Sequence, residues 1–140
     1  MPISIVRKIE VCPSEHQEQA TYMQWLELTY PDVFMMTYAV PNGAHLARGF
    51  LSFRRLQKEG FKKGVPDICI AYPVGEWHGA YIEMKKRNGK GPNPEQARWL
   101  RNLSMKGFNV GVCFCADDAI GFTECYLSWK KGSKIKPLKK

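Results

Sequence analysis

Two short strand-like segments joined by a brief turn constrain the fold of this chain most. They lie within Gly64–Lys86, which reads GVPDICIAYPVGEWHGAYIEMKK. The first segment, DICIAYP, is almost continuously apolar, and the second, AYIEMKK, alternates between apolar and polar residues. A connection as short as VGEWHG suits antiparallel neighbours, because parallel strands need a longer crossover. The sequence therefore predicts a β-hairpin formed by these two segments.

This predicted hairpin carries three charged residues in unusual places. Asp67 follows a proline directly before the first strand, and Glu83 and Lys85 lie two residues apart in the second. Side chains alternate along a strand, so Glu83 and Lys85 share one face while Ile82 and Met84 share the other. Pairing of the strands can bring Asp67 to the same end. Two close carboxylates repel each other unless a cation intervenes, and Mg²⁺ is a cation that prefers oxygen ligands.

Such a site has the chemistry for phosphodiester hydrolysis. A divalent metal lowers the pKa of a bound water and polarises a phosphate. Lys85 can orient the water or stabilise charge that develops on the phosphorus. The ordinary alternative is a solvent-facing Glu83–Lys85 ion pair, with Asp67 as a turn residue that caps the strand start. The spacing alone leaves both interpretations open.

The segments around the hairpin predict an α/β domain. A helix begins at Ser14, whose capping box includes Gln17, and ends before Pro31. The apolar run Val33–Val40 predicts a buried strand, and Ala44–Glu59 predicts a weaker helix that Gly60 ends.

The second half of the chain predicts three further elements. Asn93 caps a helix that has Pro94 at its first position and Gln96 at its third, and Gly107 ends it. FNVGVCFCA then predicts a strand, and DDAIGFTECYLSWK a terminal helix. Together the elements predict a mixed β-sheet flanked by helices, in which the helix before FNVGVCFCA allows a parallel crossover.

Composition points to one basic domain with a polyanionic partner. The chain has 140 residues and a formal net charge of +8, from 21 Lys and Arg against 13 Asp and Glu. Six of the lysines lie in the tail Lys130–Lys140, so the body retains +2 (8 minus 6). This charge favours nucleic acid over anionic membrane as the partner, and a soluble protein with a basic tail is the ordinary alternative. The first 11 residues lack a signal-peptide pattern and no apolar run suits a membrane span, so we expect a soluble, cytoplasmic protein.

Cysteine usage agrees with an intracellular compartment. The five cysteines have no spacing typical of disulfide scaffolds or zinc sites. Cys113 and Cys115 alternate in the last predicted strand, which predicts two buried thiols on one face.

Candidate nucleic-acid contacts flank the charged hairpin. Trp77 in the predicted turn is the better candidate to stack on a base, whereas Trp99 lies in an apolar helical stripe and is expected in the core. The basic and polar candidates for phosphate contacts are Asn42, Arg48, Arg54, Arg55, Lys58, Lys62, Lys63, Lys86, Arg87 and Lys90. For the basic residues that precede Asp67 the ordinary alternative is a solvated helix face, and for Asn42 it is a turn residue.

Three segments together resemble the VRR-NUC domain, the virus-type replication-repair nuclease branch of the PD-(D/E)XK nuclease superfamily. They are GVPDICIA, AYIEMKKRNGKGPNPEQARWL and GFNVGVC, and the resemblance runs from Glu15 through about Leu127. It implies a restriction-endonuclease-like α/β core. It also implies the roles of the site residues. Asp67 and Glu83 would be metal ligands, with the Met84 backbone carbonyl as a further ligand, and Lys85 would be the catalytic lysine with Gln96 beside the site. Glu15 would be an additional acidic ligand, with Glu18 as the competing choice.

The resemblance further implies an activity. We expect a Mg²⁺- or Mn²⁺-dependent DNA endonuclease, similar to the short stand-alone phage forms that act as homodimers on four-way junctions, flaps or other branched DNA. The alternatives are a restriction-like, sequence-selective nuclease, an RNA nuclease, and a non-catalytic nucleic-acid-binding module of the same fold.

Overall fold

The computed structural model describes residues 12–41 and 50–129. Within these ranges the chain forms the helices α1 (Glu15–Thr29), α2 (Pro31–Phe34), α3 (Phe50–Lys58), α4 (Pro94–Met105) and α5 (Ala116–Leu127), and the strands β1 (Thr37–Ala39), β2 (Ile68–Ile70), β3 (Ala80–Met84) and β4 (Asn109–Cys113). The strands form one sheet in the order β1-β2-β3-β4. The first three are antiparallel and β4 runs parallel to β3, which confirms the predicted mixed sheet.

The predicted hairpin is the centre of this sheet. β2 pairs antiparallel with β3, with Ile68 opposite Ile82, and Val74 bridges to Trp77 within the turn. Gly79 enters β3 so close to β2 that a Cβ atom there would lie 2.7 Å from the carbonyl oxygen of Ile70. The turn therefore requires glycine at this position to let the two strands pair.

The parallel crossover between β3 and β4 is made by α4. Its start follows the sequence prediction, because the Asn93 side chain accepts from the Gln96 N–H and the Gln96 side chain accepts from the Asn93 N–H. Its end also follows, because Gly107 adopts a φ of +89°, which favours glycine.

Helices α1 and α5 pack against each other and cover the sheet. Tyr22 and Thr123 form a buried hydrogen bond of 2.7 Å between their hydroxyl groups, one from each helix. The fully buried large apolar side chains come from both helices and from the central strands: Tyr22, Leu26, Ile68, Ile70, Ile82, Met84 and Tyr126. One core thus supports the elements that bear the charged residues.

The strand predicted over Val33–Val40 is wrong for its first half. Pro31 begins the short helix α2 instead, because proline is pre-organised for the first helical position and the turn closes through the Met35 N–H to the Pro31 carbonyl. Only Thr37–Ala39 pair as a strand, β1. For the weaker helix, residues 44–49 lie outside the described residues, and the predicted end is confirmed near Gly60, which has a φ of +102°.

The predicted strand through Cys115 ends earlier, at Cys113. Cys113 is buried, and burial raises the pKa of its thiol to about 12. Cys115 is only half-buried and caps α5, because its Sγ accepts from the Asp118 N–H at 3.4 Å. The cysteines of the described residues are all free thiols.

Candidate active site

Asp67 joins the ends of the two central strands. Its Oδ2 accepts a hydrogen bond of 2.7 Å from the backbone N–H of Met84. Burial raises the pKa of the Asp67 carboxyl and the charge of Glu15 raises it further, although the Met84 hydrogen bond and Lys85 act in the opposite direction. Asp67 is therefore more than a turn residue: it holds β3 with one oxygen and leaves Oδ1 for another partner.

Glu83 is a buried carboxylate on β3. Only 1% of the residue is exposed, and its Oε2 has no hydrogen-bond partner among the described residues. Burial, together with the charge of Asp67, raises the pKa of Glu83 to about 7, against the opposing effect of Lys85. The alternative of a solvent-facing Glu83–Lys85 pair is therefore wrong, because the face that carries Glu83 is covered.

Lys85 lies between two acceptors from different elements. Its Nζ is 2.9 Å from Glu83 Oε1 and donates a 2.8 Å hydrogen bond to Gln96 Oε1. The same Gln96 oxygen accepts from the Asn93 N–H at 3.0 Å, so the helix cap fixes its position. Gln96 thus both caps α4 and contacts Lys85, as the sequence allowed. Lys85 has three N–H donors, and these contacts leave one for a substrate oxygen or a water.

The Met84 carbonyl lies where β2 can no longer pair with β3. Ile68 is opposite Ile82, and continuing this register places Pro66 opposite Met84. Proline has no N–H to donate to the Met84 carbonyl. A proline before Asp67 therefore frees a backbone acceptor beside the two carboxylates.

Glu15 and Glu18 have different environments although both lie in the first turns of α1. Glu15 is exposed, and its charge raises the pKa of both Asp67 and Glu83. Glu18 is buried and fully engaged: Oε1 is 2.7 Å from Arg87 Nη2, and Oε2 accepts from the Ala116 N–H at 2.7 Å. These two contacts hold the pKa of Glu18 below its usual value. Of the two candidates, only Glu15 is free to act at the site.

The donor set fits a hard divalent cation. The buried, unpartnered oxygen of Glu83 and the second oxygen of Asp67 could serve as carboxylate ligands, and the Met84 carbonyl could serve as a neutral one. Across residues 12–41 and 50–129, no three side chains of His, Cys, Asp and Glu are grouped to hold a metal by themselves. Mg²⁺ is usually held by one or two carboxylates together with several waters, so two are sufficient.

The predicted nucleic-acid contacts are placed unevenly. Asn42 and Arg48 lie outside the described residues. The other candidates all have exposed side chains: Arg54, Arg55, Lys58, Lys62, Lys63, Lys86, Arg87 and Lys90. Arg55 and Arg87 contact acidic side chains: Arg55 Nε is 3.1 Å from Glu59 Oε1, and Arg87 Nη2 is 2.7 Å from Glu18 Oε1. For these positions, binding to nucleic acid stays a prediction.

Trp77 and Trp99 lie in environments that differ from those that the sequence predicted. Trp77 is only 8% exposed and packs edge-to-face on Trp129, with ring centroids 5.8 Å apart, so it cannot stack on a base. Trp99 is half-buried, and its Nε1 donates to the Lys63 carbonyl at 3.0 Å. Both predictions are wrong because the turn folds back onto the core, whereas the Trp99 face of α4 borders a cleft.

Arg98 and Trp99, which line this cleft, are residues whose position sequence reasoning missed. The signal was present in part, because Glu95, Arg98 and Asn102 recur at helical spacing as polar neighbours of Trp99.

No helix in the described part of the chain is long and apolar enough to cross a membrane.

Comparisons with known proteins identify the family and the fold of this chain. The family model of the VRR-NUC domain matches residues 8–117, which include Asp67, Glu83, Lys85 and Gln96. A solved structure described as a VRR_NUC domain protein superposes with a TM-score of 0.71 at 23% sequence identity, and the match covers 85% of this chain and 92% of that one. No curated protein matches. The structural match supports a PD-(D/E)XK-type fold, and the family model covers most of the sequence. The chain belongs to the VRR-NUC domain family.

Proposed function

We propose that this chain is a Mg²⁺- or Mn²⁺-dependent nuclease that hydrolyses phosphodiester bonds in DNA. One observation carries the proposal: the buried Glu83 carboxylate is paired with Lys85 through Oε1, keeps Oε2 without a partner among the described residues, and lies in the electrostatic range of Asp67. A buried carboxylate with a free oxygen is costly to a fold unless a partner is bound in the working state. A divalent cation is the partner that suits this donor set.

Asp67, Glu83 and the Met84 carbonyl would hold the cation, and Glu15 is the exposed acidic residue available to complete the set. When bound, the cation would supply Lewis-acid stabilisation of the phosphate and a water of lowered pKa. The competition between a proton and a cation for Glu83 predicts weaker cation binding below pH 7, because the pKa of Glu83 is raised to about 7.

Lys85 would act on the reacting phosphate. Two of its contacts, to Glu83 and Gln96, fix the Nζ atom, so its third N–H has a defined direction. A fixed ammonium group stabilises charge developing on a phosphate oxygen without having to reorganise first. Gln96 is then a positioning residue, since it acts through Lys85.

Branched DNA is the substrate that we propose within this class, and a homodimer in the cytoplasm is the proposed working form. The net charge of +8 supports a nucleic-acid partner. A two-fold dimer would present two equivalent sites, which suits symmetric cutting of a four-way junction. The rates of cleavage of a junction and of a linear duplex with the same sequence test the preference for branched DNA. The mass of the protein in solution tests the homodimer. Equal rates on the two substrates would favour the sequence-selective alternative, and a monomer would remove the symmetric mechanism.

The activity itself is tested by strand cleavage with Mg²⁺, Mn²⁺ or EDTA. We expect cutting with either metal and none with EDTA. Lys85→Ala should slow cutting at least about a hundredfold, as expected for loss of a transition-state donor. Lys106→Ala, which removes an exposed lysine at the end of α4, is the matched control. DNA binding without turnover in any metal would instead support the non-catalytic alternative, and cutting of RNA alone would redirect the proposal to RNA.

A further inference from the structure

A cleft beside the candidate active site combines cations with partly exposed aromatic rings. It has a volume of about 500 Å³ and lies between the end of α3 and its following loop on one side and α4 on the other. Its charged lining residues are Lys62, Lys63 and Arg98, against one carboxylate, Glu95. Their formal charges sum to +2 (three cations minus one anion). The cleft thus favours an anionic occupant.

The aromatic part of the cleft is suited to stacking. Phe61 and Trp99 line the cleft, and both are half-buried. The only polar atom of the Trp99 ring, Nε1, already donates to the Lys63 carbonyl at 3.0 Å. What the ring still offers to an occupant is therefore its apolar surface, held in a fixed orientation.

The cleft is firmly joined to the active site. Gly64, with a φ of +81°, packs so tightly on α4 that a Cβ atom there would lie 3.0 Å from atoms of Glu95. Glu95 is adjacent to Gln96, which contacts Lys85. On the other wall, Lys63 is four residues before Asp67, so their Cα atoms are at most about 14 Å apart. At the spacing of about 3.4 Å per nucleotide in a duplex strand, this distance is at most about four nucleotides.

We propose that this cleft binds one unpaired nucleotide of the substrate strand, with Trp99 stacking on the base and Lys63 and Arg98 contacting phosphates. The inference rests on the proposed nuclease function. Cations combined with aromatic rings are the usual means of binding single strands. Bases inside a duplex have both faces covered by neighbours, so only an unpaired base presents a free face to Trp99. The volume is also within the range of about 300 to 1,000 Å³ that is typical of small-molecule sites.

The test is binding of labelled oligonucleotides in EDTA, so that no strand is cut. A duplex with a single-stranded arm is compared with the same duplex without the arm, and the wild type with Arg98→Ala and Trp99→Leu. We expect the wild type to prefer the duplex with the arm. Each variant should weaken binding to that duplex, Trp99→Leu by about 5- to 150-fold, as for loss of one stacked base.

Arg101→Ala is the matched control, because Arg101 is an exposed arginine of α4 that lies outside the cleft. Thermal melting checks that Trp99→Leu is folded, and Trp99→Phe, which keeps an aromatic ring, should recover part of the affinity. Quenching of tryptophan fluorescence by the arm provides a second readout, which should be reduced in Trp99→Phe although the other three tryptophans remain.

Three outcomes would overturn the inference. If Arg98→Ala and folded Trp99→Leu bind within twofold of the wild type while the protein still cuts DNA, the cleft is not a nucleotide site but the nuclease proposal stands. If poly-glutamate of equal charge displaces the arm as well as an oligonucleotide does, the cleft binds acidic chains in general. If the wild type neither binds nor cuts any nucleic acid, the proposed function fails together with this inference.

Discussion

Replacement of Glu83 by glutamine should stabilise the metal-free protein at high pH. The carboxyl is 1% exposed, and burial raises its pKa from the ordinary value of 4.5 to about 7. At about 1.4 kcal/mol for each pH unit, this difference corresponds to about 3 kcal/mol. Glutamine has the shape of the protonated glutamate and carries no charge, so it removes this penalty.

The sign of the effect follows from proton binding. Between pH 4.5 and about 7 the folded state holds the Glu83 proton more tightly than the unfolded chain does. The free energy of unfolding of the wild type therefore falls as the pH rises through this window. Glu83→Gln should match the wild type near pH 4.5 and exceed its free energy of unfolding by about 3 kcal/mol at pH 8.

Urea unfolding in EDTA at several values between pH 4.5 and 8 measures this difference. Glu124→Gln, at an exposed position of α5, is the control and should show no such pH dependence. A variant no more stable than the wild type at pH 8, or a difference that is the same at every pH, would show that burial of the Glu83 charge does not destabilise the protein. Mg²⁺ should raise the free energy of unfolding of the wild type at pH 8, because a bound ligand stabilises only the state that binds it. Most of this increase should be absent in Glu83→Gln.

Three structural contacts give further predictions for thermal or urea unfolding. Gly79→Ala should destabilise the hairpin by about 1–3 kcal/mol, because the new Cβ would lie 2.7 Å from a carbonyl oxygen of β2; an unchanged midpoint would contradict this packing. Glu18→Ala should lower the free energy of unfolding by about 1–3 kcal/mol, since it leaves the buried Ala116 N–H without its acceptor. Replacement of an exposed glutamate by alanine should lower the free energy of unfolding by less. Tyr126→Phe should cost about 1 kcal/mol, because its hydroxyl donates to the Tyr72 carbonyl at 2.6 Å; a neutral effect would show that the bond adds nothing.

Local signals in the sequence predicted the elements that depend on neighbouring residues. The capping boxes that begin with Ser14 and Asn93 both form, since their partners are three residues away. The short turn was sufficient to predict the hairpin, because few topologies join strands across it. By contrast, Val33–Phe34 look like a strand but follow Pro31, and the preference of proline for a first helical turn prevailed over their β propensity.

The features that the sequence did not predict depend on contacts between distant elements. Alternation placed Glu83 and Lys85 on one face but could not tell whether this face is covered. Glu15 and Glu18 are three residues apart on one helix, and only the position of Arg87 and α5 separates an exposed residue from a buried one. The exposure of Trp99 likewise depends on how α3 and the following loop meet α4.

The proposed metal site is tested most directly by the rate of strand cleavage by Asp67→Ala in Mg²⁺, measured beside the wild type and Asp117→Ala. Asp117 is an exposed aspartate in the first turn of α5, away from the proposed ligands. We expect Asp117→Ala to cut at the wild-type rate and Asp67→Ala to show no cutting above the EDTA background, with both variants folded. Full activity in Asp67→Ala would contradict the assignment of this site.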